Sequence, residues 1–197
     1  MTDKEELAVF DFCDTLVFGQ TADEFLLRIL ARYPLRKIQF YLLYGSRLKR
    51  NKKALLYRLC DGIPAHHVET VASEYATLLR SRLVATTNKI LNARESSNVV
   101  IVSAGFSNYI SRIYPNCKVI ANNLQCRNGL VSAKDCLVDC FGEEKVVRLS
   151  ETFNLSRYSV SVFSDCPSDL PLFKIGRGYL VAGDDIFELR AVSDEDL

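Results

Sequence analysis

Three short runs rich in apolar residues, Leu7–Phe10, Val99–Val102 and Val160–Phe163, are each followed within two positions by a side chain able to do chemistry: Asp11, Ser103 and Asp165. Short apolar runs of this kind read as strands buried on both faces, the mark of a parallel sheet covered by helices. A carboxylate at the end of such a strand is a poor structural choice and a good chemical one. It puts an anion at the mouth of an α/β sheet, where a metal and a phosphate can meet it.

Helical patterns fill the intervals. After a strand over 5–12, Phe25, Leu26, Ile29, Leu30 and Tyr33 repeat at helical spacing over 22–33, with Arg28 and Arg32 on the other side. Pro34 suits the first turn of a second helix that Gly45 would end. A basic helix over 47–60 and a long one from Pro64 to about Arg94 complete an all-helical block. Strands are then expected at 98–103, 118–121, 159–164 and 179–182. Helices are expected at 107–113, 143–153, 168–175 and 185–192. Within 122–140 the pair Asn128-Gly129 predicts a β-hairpin with a type I′ turn. The expected fold is α/β, a Rossmann-like, doubly wound and mainly parallel sheet with an inserted all-helical block and a β-hairpin. Residues 1–17 and 89–197 would form the core domain, and about 18–88 the insert.

Composition narrows the function. The chain has 197 residues and a net charge of +1, so it is not a generic nucleic-acid binder. No apolar leader or membrane-length run is evident. Seven cysteines without CxxC spacing fit reduced thiols in a cytoplasmic protein better than disulfides or a zinc site. Between Phe25 and Cys60 the chain carries ten Lys or Arg residues and no acid. A solvated basic face, a cap recruiting an anionic substrate, and a contact with anionic lipid all fit that stretch.

The strand ends of an open α/β sheet converge on one crevice. Asp11, the stretch Ser103-Ala104-Gly105, Lys145 near a helix start, and Asp165 with Asp169 would meet there. A hydroxyl with close-set backbone N–H groups at a helix start, as expected of this stretch, is an anion site. Carboxylates with room for water suit Mg²⁺. The metal, Lys145 and Ser103 would gather the charge of a phosphoryl group while Asp11 attacks in line.

These motifs, in order, resemble the haloacid dehalogenase superfamily, specifically its phosphoserine-phosphatase-like branch with a helical cap of the C1 type. The first motif is FDFCDTLV at 10–17 and the second VSAGFSNYI at 102–110. The hairpin IANNLQCRNGLVS at 120–132, the third motif GEEKVVRL at 142–149 and the fourth FSDCPSDLPLF at 163–173 follow. The resemblance implies that Asp11 is the nucleophile that becomes an aspartyl phosphate. It implies that Ser103 and the amides of Ala104 and Gly105 hold phosphoryl oxygens, and that Lys145 pairs with nucleophile and phosphate. Asp165 and Asp169 would bind Mg²⁺ together with Asp11, and Cys13 would give it a backbone carbonyl.

Two positions depart from that pattern. The family usually has an Asp at position 13, as acid for the leaving group and base for water. A thiol of ordinary pKa about 8.5 is a worse-matched shuttle. Asp14 is the available substitute, although on an extended chain it points away from the face shared by 11 and 13. Cys166 stands where a small hydroxyl residue is usual.

The expectation is a Mg²⁺-dependent phosphohydrolase acting on a small phosphorylated metabolite, a phosphomonoester, through phospho-Asp11. Two alternatives stay open: a phospho-ligand-binding protein impaired by Cys13, and a lipid-phosphate phosphatase at a membrane surface. Nucleic acid is not expected as a partner, and peripheral membrane contact is allowed but not favoured.

Overall fold

The structure is a computed structural model and describes residues 4–46, 52–132 and 138–189. Its centre is a six-stranded sheet built from β1 (Glu5–Phe10), β2 (Val99–Phe106), β3 (Lys118–Asn122), β6 (Tyr158–Ser164), β7 (Arg177–Ala182) and β8 (Asp185–Glu188), in the order β3-β2-β1-β6-β7-β8. All neighbours are parallel except β7 and β8. β4 (Cys126–Arg127) and β5 (Leu130–Val131) form a separate small hairpin.

Alternation along the central strands divides the core. Leu7, Val9, Val100 and Val102 face one side, where Leu149 and Leu172 cover them. Ala8, Phe10, Val99 and Ile101 face the other, beneath Tyr109 and Ile110. On that side Phe10, Phe163 and Tyr179, register neighbours on β1, β6 and β7, stack with centroids 4.6 and 4.7 Å apart. Both faces are covered, so the sheet is doubly wound, as the apolar runs predict.

Among the described residues five α-helices lie between β1 and β2: α1 (Thr21–Ile29), α2 (Pro34–Gly45), α3 (Lys52–Arg58), α4 (Ala65–Leu79) and α5 (Ala85–Asn92). After β2 come α6 (Ser107–Ile113), α7 (Glu143–Thr152) and the short α8 (Leu170–Phe173). Pro34 opens α2 as expected. Asn128 and Gly129 both have positive φ, 51° and 78°, as a type I′ turn requires.

The structure departs from the sequence reading at four places. The single helix expected over 64–94 is broken, because Leu83 and Val84 are extended. Leu83 bridges to Val17, and the Val84 N–H donates to the Leu16 carbonyl at 3.0 Å. Pairing with the outgoing chain replaces helical bonds at the point where the block returns to the sheet. Thr87 Oγ1 on the Thr15 carbonyl (2.5 Å) and Asn88 Nδ2 on the Leu16 carbonyl (2.7 Å) fix the same crossing.

The terminal helix expected at 185–192 is instead β8, paired antiparallel to β7. Gly183 takes a positive φ of 64° in the first of two loop positions, which suits a type II′ hairpin. The four residues Asp185–Glu188 are too few for a stable helix, and the edge of β7 offers them backbone partners. Residues 190–192 lie outside the described residues. The basic helix expected at 47–60 spans 52–58 here, and its expected start also lies outside the described residues. Strand β2 runs on to Phe106, so Ser103-Ala104-Gly105 is the end of a strand and not a helix start.

Candidate active site

The ends of β1 and β6 lie side by side, and both deliver carboxylates. β1 hands on to Asp11, whose N–H still donates to the Phe163 carbonyl at 2.9 Å. β6 ends in Ser164 and passes directly to Asp165. On the other side of β1, strand β2 bulges: Ser103 pairs with Ala121 but Phe106 with Asn122, so Ala104 and Gly105 stand out of the ladder. Asn122 clamps the bulge, its Nδ2 donating to the Ala104 carbonyl at 2.9 Å while its Oδ1 accepts the Cys140 N–H at 2.9 Å.

A cleft of about 90 Å³ lies over these strand ends, with Asp11, Cys13, Ser103, Ala104, Lys145 and Asp165 on its wall. Gln20, Phe141, Cys166 and Ser168 complete it. Gly105 and Asp169 stand behind this wall. The Gly105 N–H donates to Ser103 Oγ at 3.0 Å, leaving the serine proton free for another acceptor. A Cβ at position 105 would lie 2.6 Å from the Tyr109 hydroxyl and 3.2 Å from Ser103 Oγ, so only glycine fits there.

Lys145 is the electrostatic centre. From the first turn of α7 its Nζ donates to Asp11 Oδ1 at 2.8 Å and to Asp169 Oδ2 at 2.7 Å, all three groups being buried. Ser164 Oγ adds a 2.7 Å bond to the same Asp169 oxygen. Burial alone would lower the lysine pKa, but the two carboxylates outweigh it and hold the ammonium form. Burial pushes the Asp11 carboxyl up from an ordinary 3.8 to about 6; Lys145 opposes the rise and Asp169 adds to it. Asp165 is also raised by burial, against the hydrogen bond from Thr15 Oγ1 at 3.2 Å.

Three carboxylates, Asp11, Asp165 and Asp169, against one ammonium leave two formal negative charges uncompensated in the cluster. Asp169 Oδ1 is buried without a hydrogen-bond partner. Among the described residues no group of three or more acidic, His or Cys side chains is placed to hold a metal ion. Mg²⁺ does not need such a group, since it takes one or two carboxylates and keeps several waters. The excess charge and the orphaned oxygen are what a divalent cation would satisfy.

Position 13 resolves differently from the other departure. The Cys13 thiol lies 3.2 Å from Thr21 Oγ1, which is 2.6 Å from the Tyr109 hydroxyl. Burial pushes this thiol up to about 11, and the Asp11 charge adds to the rise. Asp14 sits at φ 52° with its carboxylate committed to the loop, accepting from the Gly19 N–H at 2.6 Å and from Gln20 Nε2 at 2.8 Å. Cys166 lies 2.9 Å from Ser168 Oγ, a neighbour as polar as the usual hydroxyl would need.

Several contributors escape a sequence reading. Thr15 and Thr21 are ordinary hydroxyls whose partners Asp165 and Tyr109 are distant in the chain, and Ser164 is another, bonded to Asp169 across the turn that follows β6. Asp139 accepts from Asn122 Nδ2 (2.7 Å), Lys53 Nζ (2.6 Å) and the Tyr57 hydroxyl (3.2 Å). It ties α3 to the bulge clamp. The signal in the sequence was Asn122, a polar residue closing the apolar run Val119-Ile120-Ala121.

Residues 8–174 match the model of the haloacid dehalogenase-like hydrolases, and the chain belongs to that family. No curated protein matches it in sequence. Among solved structures, a protein of unknown function from Bordetella pertussis Tohama I is similar at 19% identity and TM-score 0.73, over 89% of each chain. A phosphoserine phosphohydrolase-like protein from Francisella tularensis matches at 16% identity and TM-score 0.59, over 88% of this chain and 85% of that one. A phosphoserine phosphatase carrying a phospho-aspartyl intermediate analogue matches at 19% and 0.51, over 88% and 84%. The α/β fold is thus one shared with phosphoserine-phosphatase-like hydrolases.

Proposed function

We propose that the protein is a Mg²⁺-dependent phosphatase acting on a small phosphomonoester through a phospho-aspartate on Asp11. The observation that carries this is the buried Asp11–Lys145–Asp169 chain opening onto a cleft that Ser103 and Asp165 also line. Lys145 holds Asp11 Oδ1, which leaves Oδ2 to attack phosphorus as the bond to the leaving oxygen breaks. Ser103 Oγ, the Ala104 amide and Lys145 would take the non-bridging oxygens, with Gly105 orienting Ser103. Asp11, Asp165 and the Cys13 carbonyl would hold Mg²⁺, and Asp169 would reach it directly or through water. That ion, when bound, would draw off phosphoryl charge. Water then cleaves the aspartyl phosphate, releasing inorganic phosphate and restoring the carboxylate.

The cleft is far smaller than the roughly 300 Å³ of a typical ligand pocket. It admits a phosphoryl group and little more, so the rest of a substrate would lie under the helical block. Residues of about 18–88 would act as a cap that opens to load and closes to exclude water. The substrate would be a small phosphorylated metabolite in the cytoplasm. No helix among the described residues is long and apolar enough to cross a membrane.

A second reading is favoured by one observation. The Cys13 thiol is held in a buried hydroxyl network with a raised pKa, and Asp14 is tied to its own loop. A site without a ready proton donor suits a leaving group that departs unprotonated, such as an acyl phosphate, or a phosphoenzyme that persists and serves binding. Phosphate release with Mg²⁺ from a panel of phosphomonoesters plus acetyl phosphate separates the readings. Turnover of a phosphomonoester supports the first; stoichiometric phosphoenzyme without turnover supports the second.

A further inference from the structure

Helix α2 carries its apolar side outward. Of its twelve residues only Phe40 is buried. Leu35, Ile38 and Leu42, at i, i+3 and i+7, share one face and are 76%, 56% and 70% exposed. Tyr41 is exposed beside them, edge-on to Phe40 at 6.0 Å, and Tyr44 stacks on the same ring at 5.8 Å. An apolar surface of this kind, concentrated on one helix, marks an interaction site.

Charge decides what it meets. The stretch from Phe25 to Cys60 carries ten Lys or Arg residues and no Asp or Glu. Arg32 and Arg58 are exposed, while Arg28 and Lys53 are paired with Glu24 and Asp139. A two-fold contact with a second copy would set this cationic block against itself. An anionic bilayer answers both properties: acyl chains take the leucines, and lipid phosphates take the cations. A twelve-residue helix is about 18 Å long, too short to cross a bilayer and suited to lying along its surface.

We infer that α2 docks the protein onto an anionic membrane surface, with Leu35, Ile38 and Leu42 entering the headgroup–acyl boundary. The docking helix packs on α3, whose Lys53 sits 4.8 Å over the ring of Phe141 on the cleft wall. The bound surface is therefore one helix removed from the cleft. The inference is independent of what the cleft does.

Sedimentation with phosphatidylcholine vesicles, with and without phosphatidylglycerol and at low and high salt, tests it. Binding is expected with phosphatidylglycerol only, weakening as salt rises. Leu35→Glu/Leu42→Glu is expected to weaken it by about tenfold or more, and Arg32→Ala by about fivefold. The chain has no tryptophan, so Leu42→Trp gives a single reporter whose emission should shift to the blue on the same vesicles. No sedimentation with phosphatidylglycerol vesicles, or undiminished binding by the double variant, overturns the inference. So does a solution dimer that the double variant splits, which would assign the face to a second copy.

Discussion

Lys145 Nζ lies 2.8 Å from Asp11 Oδ1 across 134 residues of chain, and the same nitrogen holds Asp169 at 2.7 Å. One ammonium thus neutralises half of the charge of two buried carboxylates. The pair fixes the carboxylate proposed to attack, and it leaves the site too negative to be comfortable without a cation.

Replacing Asp11 with Asn should abolish phosphoenzyme formation and phosphate release while Lys145 keeps Asp169 as its partner. The expected result is a folded protein with no covalent phosphate after incubation with acetyl phosphate and Mg²⁺. Turnover retained by Asp11→Asn would remove the nucleophile assignment.

The same variant isolates a pH effect. Folded Asp11 binds its proton more tightly than the unfolded chain does, about 6 against 3.8. Its contribution to stability is therefore greatest below the lower value and is lost as pH rises through the upper one. In metal-free protein the melting-temperature difference, natural minus Asp11→Asn, should fall between pH 4 and pH 7. Added Mg²⁺ should shift that fall to lower pH. A difference independent of pH would show that burial does not perturb this carboxyl.

Lys145→Ala leaves Asp11 and Asp169 facing each other without a counter-charge. A loss of about 3–5 kcal/mol in urea unfolding is expected, as for a buried pair stripped of one partner. Mg²⁺ or acid should recover part of it. An unchanged midpoint would mean that solvent or the loops already compensate the two carboxylates.

Cys13→Asp places a carboxyl where the family resemblance expects the acid for the leaving group. If the missing acid limits the natural protein, phosphomonoester turnover should rise by about 10²- to 10⁴-fold. Acetyl phosphate turnover should change little, because its leaving group needs no proton. Equal gains on both substrates would point to a structural effect of the substitution.

Asp139→Ala removes the acceptor shared by Lys53, Tyr57 and Asn122. The Asn122 amide and the Tyr57 hydroxyl are largely buried, so a cost of about 1–3 kcal/mol is expected. Thermal unfolding checks this, and the variant should also raise KM by loosening the contact between α3 and the bulge clamp. A stability loss with KM unchanged would make the contact purely structural.

Local pattern carried a large part of this. The runs at Leu7–Phe10, Val99–Val102 and Val160–Phe163 make strands wherever they are placed, because both faces must be covered. Asp11 and Asp165 are legible because a carboxylate ending such a strand has no structural reason to be there. Asn128-Gly129 sets its turn through backbone sterics alone. What was not legible depended on partners far along the chain. Leu83 is extended because Val17 is beside it, and Asp185–Glu188 is a strand because β7 has an open edge. The bulge after Ser103 needs β3 as its ruler.

The order of residues along the chain was enough to set the layered α/β class, the helical block after the first strand, and which side chains stand as candidates for phosphoryl chemistry. These follow from periodicity and from the cost of burying a charge, both of which are local. It took the folded chain to share Lys145 between Asp11 and Asp169, to turn the Cys13 thiol to Thr21, to commit Asp14 to its loop, and to face the leucines of α2 outward. Each of those is set by which distant group fills the remaining space and satisfies the remaining hydrogen bond, and the order of residues along a chain does not specify that choice locally.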